Sequence, residues 1–216
     1  MILPLRTPGD AELAAPAVAE QLAGHRLLAY PTETVYGLGS AAEPRSLARL
    51  AALKGRQRGK PFLLLVANRR MAEASGLVFT PAADALAEAF WPGPLTLVLR
   101  GGEGKLPDGL RGPEGGIAVR HTSNAAVARL IALLDQPLTS TSANIPGQPP
   151  APGAEQIVAL FRSAYDAGDL LVLDGGTLGN VPPSTMVDCT GYQPALIREG
   201  ALPRQELRAA VGRLAP

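Results

Sequence analysis

The sequence predicts an α/β domain with a twisted, open, mixed sheet and flanking helices. Short apolar runs, which end in proline, glycine or a polar residue, alternate along the chain with amphipathic segments of helical period. The connections between these segments vary in length, which is typical of a sheet that mixes parallel and antiparallel strands. The 24 glycines and 21 prolines lie between the periodic segments and indicate many tight turns.

Helical periodicity and boundary residues predict six helices. Gly24 can end the first helix, and Pro44 lies near the first turn of the second. Thr80 followed by Pro81 provides an N-cap and a first helical position, and Asn124 provides another cap. With caps included, the predicted helices cover residues 10–24, 44–54, 80–91, 124–134, 154–168 and 203–214.

Short apolar runs predict eight strands, and turn sequences predict the connections between them. The strands cover residues 26–30, 62–66, 95–100, 117–120, 138–141, 170–174, 184–189 and 195–198. Residues 101–116 carry several glycine- and proline-containing turns and are predicted to form a mobile loop. A length of 216 residues fits one domain, so we expect residues 1–216 to form a single domain.

Composition narrows the class of protein. The chain carries 20 basic and 19 acidic side chains, a net charge of +1, which does not indicate a nucleic-acid-binding protein. Cys189 is the only cysteine, which excludes an intrachain disulfide, and the two histidines lack the spacing of a zinc site. No apolar stretch is long enough to span a membrane, and no secretory signal is recognisable, so we expect a cytoplasmic protein.

Four cations occupy alternate positions of the segment KGRQRGK at residues 54–60, directly before an apolar run. If this segment is extended, the side chains of Lys54, Arg56, Arg58 and Lys60 project to one side. Each charge-assisted contact is worth about 1.5–3 kcal/mol, so such a comb could hold a polyphosphate. A basic surface loop between a helix and a strand is the alternative interpretation.

Clusters of polar residues lie where the predicted strands end. The motif PTETVYGLG at 31–39 follows the first strand, STSAN at 140–144 follows another, and Arg120 and Arg198 end two more. Taken singly, the threonines could be helix caps, STSAN a turn and Arg120 a surface charge. Together they indicate an anion and nucleotide site, because ligand sites of open α/β sheets lie at strand ends. The sequence has no Walker-type loop, no G-x-G-x-x-G after a strand and no Ser/His/Asp set.

These motifs resemble those of the YrdC/Sua5/TsaC family, the threonylcarbamoyl-AMP synthases. Any one motif is a weak signal, but the matching segments occur in family order across most of the chain. They are residues 31–39, KGR at 54–56, FWPGPLTLVL at 90–99, AVR at 118–120, TSAN at 141–144, STMVD at 184–188 and REG at 198–200.

The resemblance implies the YrdC-like fold, in which the sheet and its helices surround a concave, positively charged cavity. It also implies condensation of L-threonine, bicarbonate or carbon dioxide, and ATP into threonylcarbamoyl-adenylate, with release of pyrophosphate. The product would pass to a tRNA threonylcarbamoyl transferase for the N6-threonylcarbamoyl modification of adenosine 37 in tRNA. Mg²⁺ is expected to enter with ATP, without dedicated protein ligands. No membrane partner is implied, and direct contact with tRNA stays open.

By motif, the resemblance assigns two groups of side chains. The residues expected to bind ATP are Lys54, Arg56, Lys60, Ser142, Asn144 and Arg198. The residues expected to surround threonine are Thr32, Thr34, Arg120, Ser140 and Ser184, with Arg120 as a carboxylate clamp. An already ionised group that attacks the α-phosphorus needs positioned cations rather than a protein nucleophile or base, so no catalytic side chain is assigned.

The chain departs from the family pattern at several positions. Gln57 replaces a common proline, Leu65 stands where some members have a histidine beside threonine, and Glu199 interrupts the usual Arg-Pro-Gly. The histidine contact is therefore not carried over to this chain. Because the sequence ends at Pro216, we expect the short form of the family, with the YrdC-like domain alone.

Two other classes of function are compatible with parts of this pattern. A YrdC-like module could bind RNA or a nucleotide without turnover, which a steep salt dependence of RNA binding would indicate. A carbamoyl-transfer enzyme of hydrogenase maturation contains a similar domain, but the zinc-finger cysteines and the acylphosphatase segment of such enzymes are missing here. We therefore favour the synthase.

Overall fold

The computed structural model describes residues 1–55, 61–179 and 181–215, so Arg56, Arg58 and Lys60 of the predicted comb lie outside the described residues. None of the described helices is long and apolar enough to cross a bilayer. In chain order the elements are β1 (Ile2–Pro4), α1 (Pro8–Ala23), β2 (Leu27–Tyr30), β3 (Gly37–Gly39), α2 (Pro44–Lys54), β4 (Leu63–Val66), α3 (Arg69–Ala74), β5 (Leu77–Val78), α4 (Pro81–Phe90), β6 (Leu95–Gly101), β7 (Ile117–His121), α5 (Ala125–Leu134), β8 (Leu138–Ser142), α6 (Ala154–Leu160), α7 (Arg162–Asp166), β9 (Leu170–Asp174), β10 (Thr185–Asp188), β11 (Ala195–Arg198) and α8 (Arg204–Val211).

The strands form one open, mixed sheet. Among the described residues the order across the sheet is β1-β9-β2-β3-β8-β4-β7-β6-β10-β11, and β5 pairs with β6 beside this path. The parallel pairs are β1–β9, β9–β2, β4–β7 and β6–β10. The antiparallel pairs along the path are β2–β3, β3–β8, β8–β4, β7–β6 and β10–β11. The predicted mixed α/β fold with flanking helices is confirmed.

Helices pack on both faces of the sheet. Successive residues of a strand point to opposite faces and therefore lie in two different apolar clusters. In β4, Leu64 belongs to one cluster with Leu50 of α2, whereas Leu65 belongs to the other with Val18 of α1 and Leu130 of α5. All five side chains are fully buried. Because burial of each such side chain contributes about 1.5–3 kcal/mol, the two clusters fix which face of each strand is turned to which helices.

The helix ends follow from local chemistry. The predicted helix 44–54 is confirmed as α2, in which Pro44 occupies the first turn and Gly55 takes the left-handed conformation (φ 58°) that ends the helix. Thr80 caps α4 by accepting a hydrogen bond from the Ala83 amide, and Asn124 caps α5 in the same way. Side-chain caps satisfy amides that have no partner within the helix, so the sequence marks these boundaries directly.

One predicted helix is wrong as a single element. Residues 154–168 form two helices, α6 and α7, which are interrupted at Phe161 (φ −118°, ψ 35°). The Phe161 ring is buried in the apolar cluster that contains Leu50. We infer that burial of this ring outweighs an unbroken hydrogen-bond ladder, which amphipathic spacing alone does not reveal.

Four short elements, β1, β3, α3 and β5, were not predicted, because each is too short to show a period. Strand β3 is the one that positions the site. Its Gly39 lies so close to the neighbouring chain that a Cβ atom there would lie 2.1 Å from the Thr139 carbonyl oxygen and 2.7 Å from the Tyr30 hydroxyl. A glycine at this position lets β3 fit between β2 and β8.

The loop between β6 and β7 contains a short 3₁₀ turn, Asp108–Leu110. Arg111 cross-links this loop, because its Nη1 donates to the Gly101 carbonyl at 2.9 Å and to the Gly115 carbonyl at 3.2 Å. The mobility of residues 101–116 stays a prediction.

Gly39→Ala is expected to lower the free energy of unfolding by about 1–3 kcal/mol, since the added methyl group overlaps the Thr139 carbonyl. Urea denaturation followed by circular dichroism measures the change. Gly191→Ala is the matched control, because a Cβ atom at Gly191 would meet only the Gln193 carbonyl at 3.8 Å. Equal stability of the two variants would contradict the close approach at β3.

Candidate functional site

A cavity of about 1220 Å³ opens where the polar ends of several strands converge. It is larger than the roughly 300–1,000 Å³ of most small-molecule sites, so its size is compatible with two ligands side by side. Eight of the residues predicted for the site line it, namely Thr32, Thr34, Arg120, Ser140, Ser142, Asn144, Ser184 and Arg198. Residues from β7, β8 and β11 and from the turn after β2 thus share one hollow.

The segment after β2 is a hydrogen-bonded turn rather than a helix start. The Thr32 hydroxyl donates to the Val35 carbonyl at 2.7 Å and accepts from the amides of Thr34 and Val35, both at 3.2 Å. The interpretation of Thr32 and Thr34 as helix caps is therefore wrong. Thr32 holds the turn, and the Thr34 hydroxyl lies 3.0 Å from that of Thr32 at the cavity wall.

Arg120, at the end of β7, is a buried cation. Its side chain is only 4% exposed, and its Nη1 donates to the Thr34 hydroxyl at 3.2 Å and lies 3.4 Å from Glu33 Oε1. Burial lowers the pKa of the guanidinium, and the charge of Glu33 opposes that shift. An arginine nevertheless stays charged at neutral pH, so the wall of the cavity carries a fixed positive group. The interpretation of Arg120 as a surface charge is wrong.

Arg198 and Ser184 form a second polar group at the cavity wall. Arg198 Nη2 donates to the Ser184 carbonyl at 2.8 Å, and the Ser184 hydroxyl lies 2.9 Å from that of Thr96. Partial burial of the Arg198 guanidinium lowers its pKa, and the charge of Arg120 lowers it further. The positive charges of Arg120 and Arg198 therefore repel each other, and an anionic ligand bound near both would offset that repulsion.

Lys54 holds the loop that follows β8. Its ammonium donates to the carbonyls of Ser142 and Asn144, both at 2.6 Å, and to Oδ1 of Asn144. An ammonium has three N–H donors, so it can make all three of these contacts at once. Direct binding of a phosphate by Lys54 stays a prediction, and in this structure the side chain orders the backbone of the Ser142–Asn144 loop.

The Asn144 side chain is also fully engaged. Its Oδ1 accepts from the Ser142 hydroxyl at 2.6 Å as well as from Lys54, and its Nδ2 donates to the carbonyls of Ile145 and Gln148. A ligand would therefore meet this loop as a preorganised surface. The Ser142 hydroxyl and the Asn144 amide both line the cavity.

The comb geometry of residues 54–60 is wrong at its start. Lys54 is the last residue of α2 and Gly55 adopts a left-handed conformation, so the backbone is not extended there. Arg56, Arg58 and Lys60 lie outside the described residues. Among the described residues, the cavity lining contains two arginines, Arg120 and Arg198, and two carboxylates, Glu114 and Asp188. A net positive charge of the cavity therefore stays a prediction.

Sequence reasoning missed the role of Tyr36 in shaping the cavity. Its hydroxyl accepts from the Gly175 amide at 2.9 Å and donates to the Gly176 carbonyl at 2.7 Å. These bonds fix the segment after β9, from which Leu178 and Gly179 line the cavity. Tyr36 lies within the motif at residues 31–39, but its contacts, which span about 140 residues of sequence, could not be read from that motif.

The fold and this cavity at the strand ends define a class of α/β proteins whose site is built by loops at one edge of the sheet. The model of the Sua5/YciO/YrdC family, described as "Telomere recombination", matches residues 20–200. The chain belongs to this family.

Curated relatives and a solved structure support the assignment. The chain is 36% identical over 171 residues to a threonylcarbamoyl-AMP synthase of Nitrosococcus oceani, with coverage of 79% of this chain and 90% of the relative. It is 34% identical over 190 residues to one of Pyrococcus abyssi, covering 88% of this chain but only 54% of that relative. The structure of P. abyssi Sua5 complexed with L-threonine superimposes with a TM-score of 0.85 at 32% identity, covering 100% of this chain and 63% of that one.

Lys54→Met is expected to lower the free energy of unfolding by about 2 kcal/mol or more, because two loop carbonyls lose their donor. Amide exchange at Asn144 and Ala151, whose amides bond within this loop region, should become faster. Lys105→Met is the matched control, since exposed Lys105 contacts a single carbonyl, that of Ala74. If the Lys54 variant is as stable as the Lys105 variant, the ammonium does not hold the loop.

Proposed function

We propose that this chain is a threonylcarbamoyl-AMP synthase. It condenses L-threonine, bicarbonate or carbon dioxide, and ATP into threonylcarbamoyl-adenylate and pyrophosphate. The observation that carries the proposal is that one cavity joins a buried guanidinium with neighbouring hydroxyls, at Arg120, to a preorganised loop at Ser142–Asn144. Relatives named threonylcarbamoyl-AMP synthase, which include one that this chain covers by 90%, support it.

The threonine end of the cavity lies around Arg120. Its planar guanidinium suits a carboxylate, which it can hold through two parallel hydrogen bonds. The hydroxyls of Thr34, Ser140 and Ser184 line the same cavity and offer partners for the substrate hydroxyl. The L-threonine bound to P. abyssi Sua5, a structure of closely similar fold, supports this assignment of the amino acid.

The ATP end lies around the Ser142–Asn144 loop and Arg198. Lys54, at the end of α2, orders the loop by donating to two of its carbonyls, and Arg198 of β11 lines the cavity. Arg56 and Lys60, which lie outside the described residues, would add two further cations from the segment that precedes β4. Positive groups that are fixed before the substrate binds stabilise charge that develops on the phosphates during reaction.

The chemistry needs positioning rather than a protein nucleophile. The neutral amine of threonine attacks carbon dioxide, loses a proton and becomes a carbamate. A carbamate oxygen then attacks the α-phosphorus of ATP, the bond to the bridging oxygen of the β-phosphate breaks, and pyrophosphate leaves. Holding the two reactants in line can lower the activation barrier by several kcal/mol. A cavity that binds both reactants can therefore accelerate the reaction without a protein nucleophile.

We propose that Mg²⁺ enters with ATP. No group of three or more His, Cys, Asp or Glu side chains among the described residues could hold a metal alone, which fits an ion carried by the triphosphate. Among the described residues of the cavity lining, the carboxylates of Glu114 and Asp188 and the Ser142 hydroxyl offer oxygens of the kind that Mg²⁺ binds. When bound, the ion would neutralise charge on the phosphates.

The product is a mixed anhydride of a carbamate and AMP, which is reactive towards amines and water. From the resemblance to the family, we propose that a tRNA threonylcarbamoyl transferase consumes this product and that N6-threonylcarbamoyladenosine in tRNA is the end product. The proposed place of action is the cytoplasm, where tRNA and ATP occur together.

A three-substrate assay tests the proposal. Pyrophosphate release from ATP should require both L-threonine and bicarbonate, and replacement of threonine by L-serine should lower kcat/KM. Loss of one methyl contact is worth about 1–3 kcal/mol, or roughly 10–200-fold. Release of pyrophosphate without threonine, or no release with all three substrates, would contradict the proposal; in the second case a nucleotide-binding module becomes the better description.

Ser184→Ala is expected to raise the KM for threonine more than the KM for ATP, because the Ser184 hydroxyl lines the cavity and is one of the proposed partners of the substrate hydroxyl. Loss of one neutral hydrogen bond predicts an effect of about 0.5–1.5 kcal/mol, which corresponds to roughly 2–12-fold. Ser163→Ala, at an exposed position of α7, is the control. An equal rise of both KM values would place Ser184 elsewhere than at the amino acid.

A further inference from the structure

Glu33 lies between Thr32 and Thr34 in the motif that follows β2, but the assignments above give it no role. Its side chain is 15% exposed and its Oε1 lies 3.4 Å from Nη1 of Arg120. Among the described residues Glu33 is not part of the cavity lining, whereas Arg120 is. The carboxylate therefore lies close to the guanidinium without itself lining the cavity.

Glu33 is itself held in place by a chain of hydrogen bonds. The Asn124 amide donates to the Thr122 hydroxyl at 3.2 Å, and that hydroxyl donates to Oε2 of Glu33. Thr122 is fully buried. Because the Thr122 oxygen is occupied as an acceptor, its proton is directed at Glu33, and the carboxylate orientation is fixed by the start of α5.

Arg120 depends on this carboxylate for its position. Within the described residues its hydrogen bond is the one that Nη1 donates to the Thr34 hydroxyl, while its Nε is buried without a hydrogen-bond partner. Glu33 Oε1 is likewise buried without a hydrogen-bond partner and contributes by its charge. Without Glu33, one neutral hydroxyl would be the only described hydrogen-bonding partner that fixes the orientation of the guanidinium.

We propose that Glu33 is a positioning residue for the amino-acid substrate, which holds the Arg120 guanidinium in the orientation that receives the substrate carboxylate. The inference rests on the proposed function, because it takes L-threonine as the ligand of Arg120. Glu33 neither lines the cavity nor takes part in the proposed reaction, and this inference gives it a role.

Two effects of removing the Glu33 charge oppose each other. Loss of a negative charge beside Arg120 would by itself tighten binding of a carboxylate, since one repulsion disappears. Loss of the fixed orientation weakens it, because the guanidinium must then be ordered when the substrate binds. In the part of the chain that the structure describes, Arg120 would keep one side-chain hydrogen bond, which favours the second effect, so binding of threonine is expected to weaken.

Calorimetric titration of L-threonine and of L-threoninamide, which lacks the carboxylate, separates these effects. In Glu33→Gln the Kd of L-threonine should rise by about tenfold or more, whereas that of the amide should change less than about twofold. Glu33→Asp, which keeps the charge, should recover part of the loss. In the pyrophosphate assay the KM for threonine should rise and the KM for ATP stay constant.

Glu12→Gln is the matched control, because Glu12 forms an exposed ion pair with Arg129 at 2.7 Å between α1 and α5. It should leave both Kd values unchanged. Thr122→Val, which removes the hydroxyl that holds Glu33, should weaken L-threonine by a smaller factor with the same indifference to the amide. This variant keeps the test decisive if Glu33→Gln fails to fold.

Unchanged or tighter binding of L-threonine by Glu33→Gln, or an equal loss for the amide, would overturn the positioning role. If Glu33→Gln does not fold, wild-type affinity of Thr122→Val for L-threonine would overturn it. Failure of the proposed function gives a different result, because the wild-type protein itself would then not bind L-threonine.

Discussion

The cavity depends on the burial of one charge, the guanidinium of Arg120 at the end of β7. A buried cation without a partner costs several kcal/mol, so the surrounding chain must supply a counter-charge and acceptors. Glu33 and Thr34 supply them from the turn after β2, and Thr32 closes that turn through its own hydroxyl. The turn after β2 therefore meets an electrostatic requirement that Arg120 imposes at the proposed carboxylate site.

The mixed sheet explains how distant segments meet around this charge. Strand β3 returns antiparallel between β2 and β8, which places the Thr32–Thr34 turn near Ser140 and Ser142 at the end of β8. On the other side of β8, strand β7 pairs with β4 and β6, so Arg120 lies on the strand between these two. Lys54 then reaches from α2 to the loop after β8 and fixes the wall proposed for ATP.

The sequence predicted the fold where local chemistry decides it. Helix α2 and strands β9 and β11 were predicted to the residue, because a proline, a glycine or a change of polarity marks their ends. The interruption at Phe161 and the strand at Gly37–Gly39 depend on tertiary packing and have no local signal. For the site, patterns at strand ends indicated the region, but the choice of individual residues came from the family resemblance. The contacts of Lys54 span 88 and 90 residues of sequence and could not be read from either source.

A crystal structure of the protein with L-threonine and a non-hydrolysable ATP analogue tests the central claim most directly. The account predicts the threonine carboxylate within hydrogen-bond distance of Arg120 and the triphosphate between Arg198 and the Ser142–Asn144 loop, both in the one cavity. Threonine bound away from Arg120, or a triphosphate outside that cavity, would contradict it.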